Sequence, residues 1–236
     1  KRDILSDYEV VVIGVNNAMI KQKIIDKTLI EIDNETVLDA ETIASQIAIT
    51  KAIKDYNLNR IITFHNRIKS AKYFAKSFNR VIQCIEPTQV PSGQISCEYI
   101  SGDMPTSLRN QKIHSLRNLK NDQIKILSNA RCLSEGVDVP TLSGIAFINH
   151  KESVIDIIQA VGRAIRKSDD KTKGIIVIPL FISEEKSLDE EIFESDFRKV
   201  WQIVTALKSQ DDLLMECIDN LRVQIGQKGS INSANG

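Results

Sequence analysis

What these 236 residues lack narrows the field before any motif is read. Lys and Arg together number 31, as do Asp and Glu, so no global basic field advertises nucleic acid and any such contact must be local. No apolar run reaches membrane-spanning length, and the opening KRDILSDYEV lacks the apolar core of a signal peptide. Cys84, Cys97, Cys132 and Cys217 are not closely paired, which argues against a zinc site and a disulfide framework and fits a reducing cytoplasm. Asn34-Glu35-Thr36 matches a glycosylation acceptor, but with no secretion signal it reads as chance. There is no GxxxxGK followed by Ser or Thr, hence no phosphate-cradling loop with its lysine and magnesium-binding hydroxyl. His65, His114 and His150 have no Ser or Cys partner at a recognisable spacing, so nucleophilic catalysis finds no support.

What is present begins with QAVGRAIR, residues 159–166. The apolar positions Val154, Ile155, Ile158, Val161 and Ile165 have helical spacing, and Arg163 and Arg166, three apart, share one face of that helix. Two permanently charged forks side by side suit a polyphosphate, since each offers paired donors to phosphate oxygens. Gly162 removes a side chain where a ligand or another backbone must come close. Taken alone, GRxxR more often marks an amphipathic helix with a solvated basic face. The company it keeps decides between the two.

Short β-branched runs alternate with helical patterns along most of the chain. Strands are predicted at 8–15, 60–66, 97–102 and 124–128, in GIAFIN and in GIIVIPL; helices are predicted over 37–56, 68–78, 107–119 and the arginine segment. Such alternation implies an α/β fold with a mainly parallel sheet and helices on both faces. Ligands in these sheets bind at the carboxyl ends of the strands, where FHN, SGD, SNAR and INH all fall. Beyond Pro179, Ser187 and Glu190 form a capping box that opens a helix through Ile192, Phe193, Phe197, Val200, Trp201, Val204 and Leu207. The polar break KSQDD leads to a second helix with Leu213, Leu214, Ile218 and Leu221. The expected organisation is 1–58 as a strand and leading helix packing on the core, 59–184 as the sheet domain, 185–225 as a helical hairpin and 226–236 as a disordered tail.

Four segments, in order, resemble the motifs of the second RecA-like domain of superfamily 2 helicases and translocases over residues 60–180. RIITFHNRIKSAKYFA resembles motif IV, and YISGDMPTSLRNQKIHSLRN resembles the strand, small-residue turn and arginine-bearing helix that follow, with Arg109 in that helix. ILSNARCLSEGVDVPTL is similar to motif V, with Gly136 and Asp138 in its G-x-D-x-P context, and QAVGRAIR is similar to motif VI. No single segment carries the resemblance; their order and spacing do. The opening ILSDYEVVVIGV resembles the segment joining the two RecA-like domains in restriction-type helicases.

The resemblance implies a three-layer RecA-like domain with a C-terminal helical extension, belonging to a larger ATP-dependent motor. ATP and magnesium would be held mainly by a first RecA-like domain, which would be this domain's partner across the nucleotide cleft. Arg166 would be the arginine finger, Arg163 its companion on the phosphates, and Gln159 a polar contact near the γ-phosphate. Gly136, Asp138 and Gly162 would border the nucleotide. His65, Asn66, Arg67, Ser101, Gly102 and the SNAR turn, with Ser128, Asn129 and Arg131, would meet a nucleic-acid backbone, DNA rather than RNA. Gln159 stands where DEAD-box RNA helicases have His-Arg, which points away from that branch and towards DNA translocases. Two local alternatives stay open: Asp138 before Val139-Pro140 as an ordinary turn residue, and His65 as a strand-end cap. Two further readings of the whole chain stay open as well, an ATP-independent binding or scaffolding module and the motor of an ATP-dependent restriction enzyme.

Overall fold

A computed structural model describes residues 7–16, 40–130, 132, 142–149 and 173–182. Six strands form one sheet: β1 (Asp7–Asn16), β2 (Arg60–His65), β3 (Gln94–Ser101), β4 (Gln123–Ala130), β5 (Gly144–Asn149) and β6 (Lys173–Ile182). Their spatial order is β1-β6-β5-β2-β4-β3, and every neighbouring pair is parallel. The sheet is parallel, as the alternation of elements implied, and the fold is RecA-like, as the resemblance implied. Three helices are described: α1 (Ala40–Asp55), α2 (Ile68–Gln83) and α3 (Thr106–Arg117).

The strand sequences explain the layering. β1, β2, β5 and β6 are rich in Val, Ile, Leu and Phe, the pattern of strands covered on both faces. One face, with Val11, Ile13, Ile61, Ile126, Ala146 and Val177, packs with Ile43, Ile49 and Ile53 of α1 and Phe74, Phe78 and Val81 of α2. Phe74 and Phe78 are fully buried, each contributing roughly 1.5–3 kcal/mol by leaving water. α1 is rich in Ala and Ile and is buried well beyond one stripe, including the polar Ser45, Gln46 and Thr50. The Gln46 Nε2 donates to the Phe74 carbonyl at 2.8 Å and to Ser77 Oγ at 2.7 Å, joining α1 to α2.

The amino edge of the sheet is fastened by Ser143. Its Oγ accepts from the backbone N–H of Asn59 (2.9 Å) and Arg60 (3.0 Å), while its own N–H donates to the Arg60 carbonyl at 2.9 Å. α1 ends just before, with Asn57 in the left-handed region (φ 51°) and Leu58 N–H donating to the Ile53 carbonyl at 3.0 Å. Leu58 then packs over Gly144, where an added Cβ would lie 3.0 Å from Leu58 Cδ1.

Several boundaries differ from those expected, for physical reasons. α2 continues to Gln83 because Val81 is a further buried turn of its apolar stripe. β3 begins at Gln94, directly after Gly93. β4 does not stop at 128 with a SNAR turn after it: it runs to Ala130 as a central strand, its polar Ser128 and Asn129 buried within it. Within the 1–58 segment, β1 pairs with β6 along its whole length. The arginine segment 150–172, the motif V segment 133–141, the expected hairpin 185–225 and the tail 226–236 lie outside the described residues.

Candidate nucleic-acid and nucleotide edge

Because the strands are parallel, their carboxyl ends share one edge. The register makes this concrete: His65 pairs with Ala130 and with Asn149, and Ser101 also pairs with Ala130. The chain therefore leaves β2 towards Asn66 and Arg67, β3 towards Gly102, β4 towards Gly136 and Asp138, and β5 towards Gln159 and the arginines, all from this edge. A register irregularity between Phe64 and His65 marks the same place in the β2–β5 pairing.

The expected nucleic-acid residues divide into two groups. Asn66 is half-buried, and Arg67 and Gly102 are exposed. His65, Ser101, Ser128 and Asn129 are buried, so their side chains do not face solvent as expected. The physical reason, for His65, Ser128 and Asn129, is that each side chain has a partner inside. The His65 ring packs edge-on against Phe74 (centroids 5.0 Å apart), and its Nε2 lies 3.1 Å from Thr63 Oγ1. Ser128 Oγ donates to the Ala71 carbonyl of α2 at 2.9 Å. Asn129 Oδ1 accepts from Cys132 Sγ at 3.0 Å and, at a longer 3.4 Å, from the Cys132 N–H, turning the chain as it leaves β4. These groups hold the edge in shape from within. Arg131, Gly136, Asp138, Gln159, Gly162, Arg163 and Arg166 lie outside the described residues.

Reading the sequence missed two features of this edge. The first is that α2 and α3 both open here without a side-chain cap: their N-cap residues are Arg67 and Pro105, and neither first turn contains an acid. The first-turn N–H groups of a helix have no partner within it and carry partial positive charge, which suits phosphate oxygens. The lack of Ser, Thr, Asp or Asn at both N-caps was visible in the sequence as a signal. The turn into α3 is closed by the Met104 N–H donating to the Ser101 carbonyl at 3.2 Å, with Gly102 and Asp103 exposed at its tip. The second feature is that Arg109 acts on Cys132: burial pushes that thiol up to about 11, with the Arg109 guanidinium pulling against it. A helix on the third strand thus sits close to the exit of the fourth.

On the outer side of β3 and β4, Glu98 receives hydrogen bonds from both Lys112 of α3 and Lys125 of β4. Burial works to raise the Glu98 carboxyl, but the two ammonium hydrogen bonds outweigh it and hold it below the usual range. This cluster anchors α3 over the sheet. Among the described residues no group of three or more His, Cys, Asp or Glu side chains could hold a metal ion.

A parallel sheet whose motif-bearing segments leave from one edge is what the resemblance to RecA-like domains implied. The pattern of the helicase conserved C-terminal domain matches residues 44–168, just over half of the chain. The chain belongs to that family. It is a C-terminal domain of the superfamily 2 helicase type, and among solved structures it is similar to the ATP-dependent Type ISP restriction-modification enzyme LlaBIII bound to DNA. That likeness has 29% identity and a TM-score of 0.81, and covers 94% of this chain and 15% of that one. The UvrABC system protein B of Clostridium perfringens is 31% identical over 114 residues, 46% of this chain and 16% of its own length. A protein of Sulfolobus islandicus filamentous virus that bears a helicase name is 31% identical over 83 residues, 35% of this chain and 14% of its own. The chain therefore spans only about a seventh of the length of each of these three relatives.

Proposed function

We propose that this helicase C-terminal domain is the second motor domain of an ATP-dependent nucleic-acid translocase, working across a cleft from a first RecA-like domain. The observation that carries the reading is the convergence of the ordered motif exits on one sheet edge, where α2 and α3 open with uncapped N-termini. ATP with its magnesium would supply the phosphoryl group that is transferred to water. The donor set of this chain fits a polyphosphate: Arg163 and Arg166 as paired guanidiniums, with Gln159 on the same segment. Arg166 acts on the charge that develops in the transition state, Arg163 and Gln159 orient the phosphates, and Gly136, Asp138 and Gly162 border the nucleotide. The phosphate-loop lysine and the magnesium ligands belong to the partner domain in this reading.

The nucleic-acid backbone, DNA by the likeness to LlaBIII, lies along the edge against Asn66, Arg67, Gly102, Arg131 and the first-turn N–H groups of α2 and α3. Backbone donors and cations position a strand without reading its sequence, as a translocase needs. His65, Ser101, Ser128 and Asn129 serve by holding that edge in shape. The reading places the protein in the cytoplasm, where the free thiols of Cys84, Cys97 and Cys132 stay reduced.

The test is steady-state ATPase of the full-length protein, with and without single-stranded DNA. Arg166→Ala is expected to lower turnover by about 10³–10⁵-fold and leave DNA binding intact. Arg67→Ala is expected to weaken DNA binding and DNA stimulation more than basal turnover. Robust hydrolysis by Arg166→Ala would remove the finger assignment, and hydrolysis by this domain alone would remove the split-site reading.

A further inference from the structure

The neutral total of the chain conceals a segregation of charge. Residues 40–130 hold thirteen Lys and Arg against six Asp and Glu, so the compensating acids lie elsewhere in the sequence. Within that span α2 is the extreme case: it carries Lys69, Lys72, Lys76 and Arg80 and no acid. Spacings of three and four residues put these cations on one helix face, opposite the buried Ala71, Phe74, Phe78 and Val81. All four are exposed, as is Arg67 ahead of them. The row spans about 17 Å, at the rise of an α-helix.

Helix physics does not favour this arrangement. Lys69 in the first turn opposes the helix dipole, and the like charges of Lys69 and Lys72, three apart, repel. An anionic partner along the face would turn both penalties into attractions.

The composition of the face also selects the kind of partner. Phe74 and Phe78 point inward, and Tyr73 is half-buried with Lys69 Nζ 5.5 Å from its ring centroid. No exposed aromatic is left on α2 for bases to stack on, which is how single strands are gripped. No exposed apolar residue is left on it to enter a bilayer either. What remains is a straight row of cations with Asn79 and Gln83 beside it, which matches the regular phosphates of a duplex.

We propose that the outer face of α2 is a docking track for the phosphate backbone of a nucleic-acid duplex, with Lys69, Lys72 and Lys76 as its principal cations. The track starts at the strand-end edge, where α2 follows β2, and leads away from it towards the amino edge, where β3 begins. Lys76 and Arg80 also engage neighbours within the protein, so Lys69 and Lys72 carry the larger share. This inference rests on the reading of the protein as a nucleic-acid motor and adds a second contact to it.

The experiment measures fluorescence anisotropy of the full-length protein over a salt series, with a blunt duplex and with a thymidine oligomer. Each phosphate contact contributes about 0.9 to the slope of log affinity against log salt for duplex, so the triple variant Lys69→Gln, Lys72→Gln, Lys76→Gln should flatten the duplex slope by roughly 2–3. The single-strand slope should hold, and the control Lys51→Gln, Lys120→Gln should leave both slopes as in wild type. Lys69→Glu with Lys72→Glu should weaken duplex binding further than neutralising the same two sites. An unchanged duplex slope in the triple variant, or equal flattening for both ligands, overturns the track while leaving the motor reading standing. Wild-type protein that binds neither ligand overturns the motor reading itself, and the track with it.

Discussion

The Ser128 hydroxyl donates a 2.9 Å hydrogen bond to the Ala71 carbonyl, linking a central strand to the helix beside it. Both residues are fully buried. The bond holds α2 against the carboxyl end of β4, so the uncapped start of α2 keeps its place at the edge. Ser128→Ala should therefore cost about 0.5–1.5 kcal/mol of stability and leave affinity for single-stranded DNA unchanged. Urea unfolding and anisotropy titration measure the two quantities separately. A fall in affinity with no fall in stability would return Ser128 to direct contact with the strand.

Gly93 and Gly144 are both close to other atoms, but in different ways. At Gly93 φ is +117° and an added Cβ would meet the Asp122 carbonyl oxygen at 2.7 Å, so backbone strain and a clash combine. Gly93→Ala should cost about 1–3 kcal/mol. Gly144→Ala meets mainly Leu58 Cδ1 at 3.0 Å, the end of a flexible side chain, and should cost less. Thermal or urea unfolding of the two variants side by side checks the order.

Glu98 holds Lys112 and Lys125 together, and its carboxyl lies below the usual range despite the opposing effect of burial. A lowered folded-state value means that the stabilisation is present above the unfolded value of about 4.3 and lost as pH falls through the folded value. Unfolding midpoints of wild type and Glu98→Gln should thus differ near neutral pH, with wild type higher. The difference should shrink as pH drops below about 4. A constant difference across that range would show that the two lysines gain nothing from the ionised carboxylate.

The Cys132 thiol, held up to about 11 mainly by burial, should resist alkylation. At pH 8 iodoacetamide should modify it about a hundredfold more slowly than an ordinary thiol, with the rate still climbing at pH 10. Arg109 lowers that value, so Arg109→Ala should slow the reaction further. Peptide mass analysis over time reads both effects. Faster labelling in Arg109→Ala would mean that Arg109 shields the thiol more than it activates it.

How much of this was legible in the sequence follows from which interactions are local. The alternation of β-branched runs with helical spacing gave the parallel sheet, because periodicity and turn chemistry act over a few residues. The order of the four motifs placed Asn66, Arg67 and Gly102 at one edge, since all strands of a parallel sheet end on the same side. The orientation of side chains within that edge was not legible. Polar residues at strand ends read as solvent-facing, yet His65 turns to Thr63 and Phe74, and Ser128 to Ala71, because a central strand is covered on both faces.

The sequence by itself determined the class of fold, the family, and the types of residue at the carboxyl edge. Only the tertiary structure decided which of them are buried, since burial depends on helices that arrive from elsewhere in the chain. It also brought Glu98, Lys112 and Lys125 together across three elements, and it showed that the cations of α2 share one uninterrupted outer face. Net charge sums over the whole chain, whereas a ligand meets only the charges that folding places side by side.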